Sequence, residues 1–333
     1  MSNTQPLMHK PKLSVYTISF ADAKHCLTVI RDLRSQTITA EIELIVVADS
    51  FDGISEDEFH GFATHQMIRM PGLRALGIAM ATAVHAARAP YVTYAEEHAT
   101  FDAEWAAALV DAHQRGYAAV GFAMRNSNPQ TITSWAHLYG QFGPSVDPVE
   151  TTEVPLLTGH HASYSRDVLV GYGDHLAAML EDEGALFLHL TSSGYKLLME
   201  GRAISYHINL SQLSAYAGLD FHGQRSFAAA RAMSHNWPVW KRLAFACACP
   251  LVPFVRLKRI LHHLRRTKRF GQLMPQILFP LACGLGAGGV GEAIGYLAGA
   301  GKAAERKFAP EVERRRFLSA SDPLREARPS SDS

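Results

Sequence analysis

Leu13 to Phe20 (LSVYTISF) sets β-branched and aromatic residues almost without interruption, and Glu43 to Val47 (ELIVV) is a second short apolar run that stops at Ala48, Asp49 and Ser50. Such runs predict strands buried on both faces. Between them Cys26, Val29, Ile30 and Leu33 recur at helical spacing, so the chain opens as strand, helix, strand, the start of a parallel α/β sheet. Leu76, Met80 and Val84 mark a further helix, and Pro90 forces an extended entry into Tyr91 to Tyr94 (YVTY). Asp102 as N-cap and Gly116 as stop predict a helix over Ala103 to Arg115, followed by a strand over Ala118 to Met124. Residues 125 to 155 lose periodicity and gather Asn, Gly and four prolines, which predicts a loop over a site. Helical spacing returns over Arg166 to Tyr172, Leu176 to Leu180 and Glu183 to Ser193, before a short strand at Ala203 to His207.

The pattern then changes. Leu243 to Val255 is an uncharged run of 13 residues broken by Pro250 and Pro253, and Arg256 to Arg269 packs seven Lys/Arg and two His into 14 positions. Leu273 to Gly291 is another 19 residues without charge, with Pro275, Pro280 and five glycines after Ala282. A bilayer core of about 30 Å needs about 20 apolar residues in a helix, so these runs predict peripheral or re-entrant burial rather than a clean span. Cations between two apolar runs suit an anionic cytoplasmic leaflet. Trp237 and Trp240 stand just before the first run, as interface anchors or as core. The expected organisation is a disordered N-terminus over 1–12, an α/β domain over 13–215, a helical membrane-associated region over 216–310 and a disordered tail over 311–333.

Composition adds limits. Hydrophobic residues make up 47% and charged residues 19%, with a net charge of +1, which gives no global case for nucleic acid. The four cysteines have no CxxC spacing, so reduced, buried thiols are expected. Met1 to Lys12 is polar and has no apolar run of signal-peptide length, which predicts a cytoplasmic catalytic part.

Open parallel sheets bind ligands beyond the carboxyl ends of their strands. Polar clusters stand at such places: Asp49-Ser50 after one strand, Glu96-Glu97-His98 after another, and Glu181-Asp182-Glu183 farther on. Four segments in order, ELIVVADSFDG, LRALGIAMATAVHAARAPYVTYAEEHATFDAEW, LLTGHHASYSRDVL and EDEGALFLHLTSSGYKLLMEGRAISYH, resemble the family 2 glycosyltransferases of the GT-A fold. The resembling stretch runs from about Leu13 to His207. Two departures stand out: Ser19, Phe20, Ala21 and Asp22 replace the usual Pro and Asn after the first strand, and the DxD-type position reads Glu96-Glu97-His98.

The resemblance implies an open, mostly parallel sheet flanked by helices and a nucleoside diphosphate sugar donor. Asp49 would hydrogen-bond the nucleobase, Arg74 would lie near the donor phosphates, and Glu96 and Glu97 would stand at the donor. A divalent cation, Mn²⁺ or Mg²⁺, would sit on Glu97 with His98 and His207 as further candidates; mixed oxygen and nitrogen donors suit Mn²⁺ better. His160 and His161 are weaker candidates, because adjacent side chains usually diverge. Asp182, beside Glu181, would be the catalytic base that takes the acceptor hydroxyl's proton during inversion, although Asp182 also fits as an N-cap. Taken together, these features predict an inverting, non-processive transferase acting on a glycan or lipid-linked acceptor at the cytoplasmic membrane face. The alternative is a non-catalytic nucleotide-sugar binding or scaffolding protein with a degenerate DxD site. A nucleotidyltransferase would carry a Gly-rich basic loop where SFADAK stands.

Overall fold

The structure, a computed structural model, describes residues 10–72 and 75–325. Most of the expected disordered N-terminus and the last eight residues of the expected tail lie outside the described residues. The chain divides into two compact units, one of residues 1–125 and 147–206, the other of 126–146 and 207–333.

In the first unit β1 (Leu13–Asp22), β2 (Ile42–Ser50), β3 (Thr64–Arg69) and β4 (Tyr91–Tyr94) lie parallel, with α1 (Leu27–Leu33) and α2 (Leu76–Ala86) among the crossovers. β5 (Ala99–Phe101), α3 (Trp105–Gln114) and β6 (Ala119–Asn126) follow. After α4 (Ile132–Phe142) come β7 (Thr152–Val154), β8 (Ala162–Ser165), α5 (Arg166–Val170), α6 (Leu176–Glu181), α7 (Glu183–Ser192) and β9 (Leu197–His207). Strand order is β3-β2-β1-β4-β8-β6-β9-β5, with β7 on β9, and β8 runs antiparallel to both β4 and β6. This is the mostly parallel sheet that the sequence pattern predicts.

Successive residues of the central strands serve opposite faces. Leu13, Val15, Leu44 and Val46 join α1 and α3 in one core, whereas Tyr16, Ile18, Ile45 and Val47 join α2, α6 and α7 in another. Helices on both faces explain why the runs are continuous rather than alternating. β3 escaped the sequence pattern because THQMIR is an edge strand whose residues are half-buried or exposed.

The second unit holds α4 and the C-terminal helices α8 (Leu213–Ser234), α9 (Val239–Ala248), α10 (Val252–Arg266), α11 (Phe270–Leu273), α12 (Leu278–Ala298) and α13 (Ala303–Val312). Two expectations are corrected here. Residues 132–142, expected within a loop, form α4: Thr131 caps it, its side chain accepting from Ser134 N at 3.3 Å, and Leu138 and Tyr139 are buried. The flanking prolines and Asn residues obscured one regular helix. The second correction concerns 311–325, expected to be disordered. Leu318 is buried, Gln212 Nε2 donates to its carbonyl at 2.8 Å, and the buried Asp322 accepts from Asn128 Nδ2 at 2.7 Å and from Ser211 at 2.8 Å. Charged, Ser-rich composition reads as disorder only while distant partners are unknown.

The glycines of α12 are contact points against α8. An added Cβ would lie 2.1 Å from the Phe221 carbonyl oxygen at Gly291, 2.4 Å from the Arg225 carbonyl oxygen at Gly295, and 2.4 Å from the Tyr216 ring at Gly284. Close backbone approach requires the missing side chain. Among the described residues, α12 alone is long and apolar enough to cross a membrane, and half of its apolar window is buried inside the structure.

Candidate active site

The parallel strands bring their carboxyl ends to one edge. Ser19 lies beside Ala48, Ala48 beside Arg69, Asp22 beside Ser50, and Tyr16 beside Tyr94. Ser50 Oγ donates to Asp22 Oδ1 at 2.8 Å, and Lys24 Nζ lies 2.8 Å from the other Asp22 oxygen. Asp22, which stands where the family pattern differs, is therefore occupied in tying β1 to β2. Its carboxyl is held below the usual range by hydrogen bonds from Lys24 and Ser50. Asp49 is half-buried at the end of β2, and its carbonyl accepts from Arg69 Nε at 3.1 Å. Arg74 lies outside the described residues.

After β4 the chain turns through Glu96, Glu97 and His98, closed by Ala99 N donating to the Glu96 carbonyl at 3.0 Å. Glu96 is buried, as are His98 and His161, and each imidazole Nε2 lies 3.5 Å from Glu96 Oε2. Glu97 is only half-buried. The tertiary fold thus centres two imidazoles on Glu96. His161 comes from just before β8 and could not be joined to Glu96 by sequence spacing.

The adjacent histidines diverge at a left-handed turn just before β8. His161 faces Glu96, whereas His160 sits at φ 61°, a left-handed conformation costly for a residue with a Cβ. Its backbone N–H donates to Glu183, and its Nδ1 lies 3.3 Å from Glu183 Oε2. Tyr164 O–H donates to the other Glu183 oxygen. These partners make the burial of Glu183 tolerable.

The three consecutive carboxylates therefore have different surroundings. Glu181 ends α6, and its Oε2 accepts from Gly77 N at 2.8 Å, satisfying a donor in the first turn of α2 that Ala75 leaves uncapped. Gly77 is required there, since a Cβ would lie 2.2 Å from the Ala177 carbonyl oxygen. Asp182 is exposed at the joint of α6 and α7, with φ −124° and ψ 74°, and its Oδ1 accepts from Ala185 N at 3.2 Å. That leaves Oδ2 directed by a short, non-helical link held from both sides. Glu183 points inward, to the loop that also carries His161.

The edge is electronegative. Burial first, and then Glu183, push the Tyr16 phenol well up; burial, then Glu96 and Glu97, do the same to Tyr94. Burial and Glu97 push the Cys26 thiol up as well. His207 closes β9 and falls in the second unit, where its Nδ1 lies 3.1 Å from Asn209 Oδ1 and burial pushes its pKa well down.

The family model described as glycosyl transferase family 2 matches residues 14–173. No curated protein sequence matches the chain. Among solved structures, the mannosyltransferase PcManGT from Pyrobaculum calidifontis, determined with GDP-Man and Mn²⁺, is 15% identical; the match covers 89% of this chain and 87% of that one, with a TM-score of 0.51. The S. aureus TarS 1–349 structure is also 15% identical, over 85% of this chain and 90% of its own, with a TM-score of 0.45. At this identity the likeness concerns fold alone. Residues 14–173 thus carry a glycosyl transferase family 2 domain, and the fold is of the GT-A kind.

Proposed function

We propose that this glycosyltransferase moves a sugar, with inversion, from a nucleoside diphosphate sugar to the hydroxyl of a glycan or lipid-linked acceptor at the cytoplasmic face of a membrane, non-processively. The observation that carries the reading is the joint of α6 and α7. It holds two exposed carboxylates, Glu181, whose Oε2 is engaged by Gly77 N of α2, and Asp182, whose Oδ1 caps α7, beside the buried Glu183. Inversion needs one carboxylate to take the acceptor proton as the hydroxyl attacks the anomeric carbon, and Asp182 is the exposed candidate that is not tied to α2. Glu181 and Glu183 then act as positioning residues, fixing the joint to α2 and to the His160 loop. Asp49 contacts the nucleobase in this reading, and Arg74 remains a proposed phosphate ligand.

The donor set around Glu96 fits a divalent cation. One buried carboxylate with the imidazoles of His98 and His161 offers the mixed oxygen and nitrogen ligands that Mn²⁺ accepts more readily than Mg²⁺. Glu97, half-buried beside them, is a further candidate ligand in this reading. When bound, the cation neutralises donor phosphate charge at an edge that is otherwise negative. The solved PcManGT complex with GDP-Man and Mn²⁺ is compatible with this reading.

Thermal-shift screening with UDP, GDP and dTDP sugars, with and without Mn²⁺, tests it, because a ligand that binds only the folded state raises apparent stability. One donor is expected to stabilise the chain in a Mn²⁺-dependent way and to be hydrolysed slowly. The Glu96-Glu97-His98 replacement of the DxD pattern favours the rival reading of a non-catalytic binding protein. Donor binding without hydrolysis or transfer would establish that rival, and absence of any nucleotide binding would favour a scaffold.

A further inference from the structure

The consecutive helices α9 and α10 each turn one stripe into the second unit and one outward. Ala246, Cys249, Ile260 and Leu264 face inward and are buried. The outward stripe of α9 and the link after it carries Trp240, Leu243 and Leu251, exposed by 70%, 48% and 65%. α10 continues it with Phe254 at 71% and Val255 at 50%. One turn farther along the same face of α10 the character switches to Lys258, Arg259 and His262, all exposed, followed by Arg265. Positions 254, 258, 262 and 265 follow helical spacing, so the apolar and cationic groups share one stripe.

Isolated exposed apolar side chains are ordinary, but a contiguous set of large ones rimmed by polar groups marks a docking surface. Its charge names the partner. Val255, Lys258, Arg259, His262 and His263 line a depression of ≈ 560 Å³ exactly where apolar surface gives way to cationic surface. That order, apolar then cationic along one helix, matches the order of acyl chains and anionic headgroups across a bilayer interface. The amphipathic Trp240 suits the same boundary.

We propose that the outward stripe of α9 and α10 docks on an anionic lipid bilayer, with Trp240, Leu251 and Phe254 entering the acyl boundary and Lys258 and Arg259 holding phosphate headgroups. This rests on the membrane-face reading above and assigns it a surface. α12, whose glycines pack against α8, is not the inserting element.

The test is flotation of the full chain with vesicles of phosphatidylcholine alone or mixed with phosphatidylglycerol. The chain floats with the mixed vesicles, and high salt weakens this. Lys258→Glu with Arg259→Glu lowers partitioning by about tenfold or more, as expected for cations near an anionic surface. Leu251→Ser with Phe254→Ser lowers it as well while leaving the melting temperature unchanged, since both side chains are already exposed. Vesicles shift tryptophan emission to the blue in the parent but not in Trp240→Phe. Equal binding to both vesicle types, no flotation, or indifference to all of these variants would overturn the proposal. So would a stable dimer in sedimentation velocity that the apolar pair of variants dissolves, since a second copy would then be the occupant. Slow donor hydrolysis in buffer without lipid is scored in parallel: its presence without flotation sinks only the docking, and flotation without it sinks only the transferase chemistry.

Discussion

The two units distribute polar and apolar groups in opposite ways. In the first, both faces of the central strands are covered, and its buried polar groups include Glu96, His98, His161 and Glu183 around the candidate site, each with named partners. The second buries Asp220, Glu292, Arg314 and Asp322 while leaving Met233, Trp240, Leu251, Phe254 and Phe279 more than 60% exposed. There the buried polar groups serve as clasps: Asp220 accepts from Gln141 at 2.5 Å and from Arg256 at 3.3 Å, and Arg314 NH1 lies 3.0 Å from His137 Nε2. Single exposed apolar side chains are ordinary, whereas a contiguous set of large ones is not. Under the proposals above, the first unit's buried polar groups belong to the chemistry and the second unit's exposed apolar side chains to a lipid surface.

The sharpest way to break this contrast is at the exposed carboxylate. Asp182→Asn should reduce transfer by about 10²–10⁴-fold, the usual loss for a general base, while calorimetry still detects donor binding. Near-normal turnover would remove Asp182 from the chemistry. Glu181→Gln is the companion: an amide oxygen can still accept from Gly77 N, so we expect turnover within about tenfold of the parent and a stability loss of about 1 kcal/mol or less.

Acid tests the buried polar groups. His113, in the first unit, places Nδ1 2.9 Å from the Tyr117 carbonyl, which can only accept, so Nδ1 carries the proton of the neutral ring. Burial lowers its pKa from 6.5 to about 4. The folded state thus binds this proton later than the unfolded chain does. Its contribution is fully present above pH 6.5 and is lost as pH falls towards 4, on the order of 3 kcal/mol in total. Denaturant midpoints measured across that range should decline, and His113→Gln should flatten part of the slope. His137 in the second unit is shifted in the same direction by burial and by Arg314, so a residual slope is expected in that variant.

Glycine contacts compare the units directly. Gly291→Ala places a Cβ 2.1 Å from the Phe221 carbonyl oxygen, and Gly77→Ala places one 2.2 Å from that of Ala177. Backbone atoms yield little, so each should cost about 1–3 kcal/mol in thermal melts. Only Gly77→Ala should also lower transfer, because it displaces the helix that ends at Glu181. Equal activity loss in both would show that the α6–α7 joint has no special place.

Much of the first unit was legible in the chain. Leu13 to Phe20, Glu43 to Val47 and Tyr91 to Tyr94 announce strands by unbroken apolar runs, and the helices between them by periodicity, because local period and two-sided burial leave a direct imprint on residue order. The strand-end positions of Asp49 and Glu96 to His98 follow from that reading. β3 did not follow, since an edge strand is only partly buried, and α4 was hidden among loop-forming residues. What only the tertiary structure decided was which side chains meet. His161 faces Glu96 from 65 residues away in sequence, Glu181 closes a helix that begins 105 residues earlier, and Asp322 is clasped by Asn128 from 194 residues away. Three adjacent carboxylates, alike in the sequence, became a helix cap, an exposed candidate base and a buried anchor, because each side chain's surroundings are supplied by elements distant in the chain.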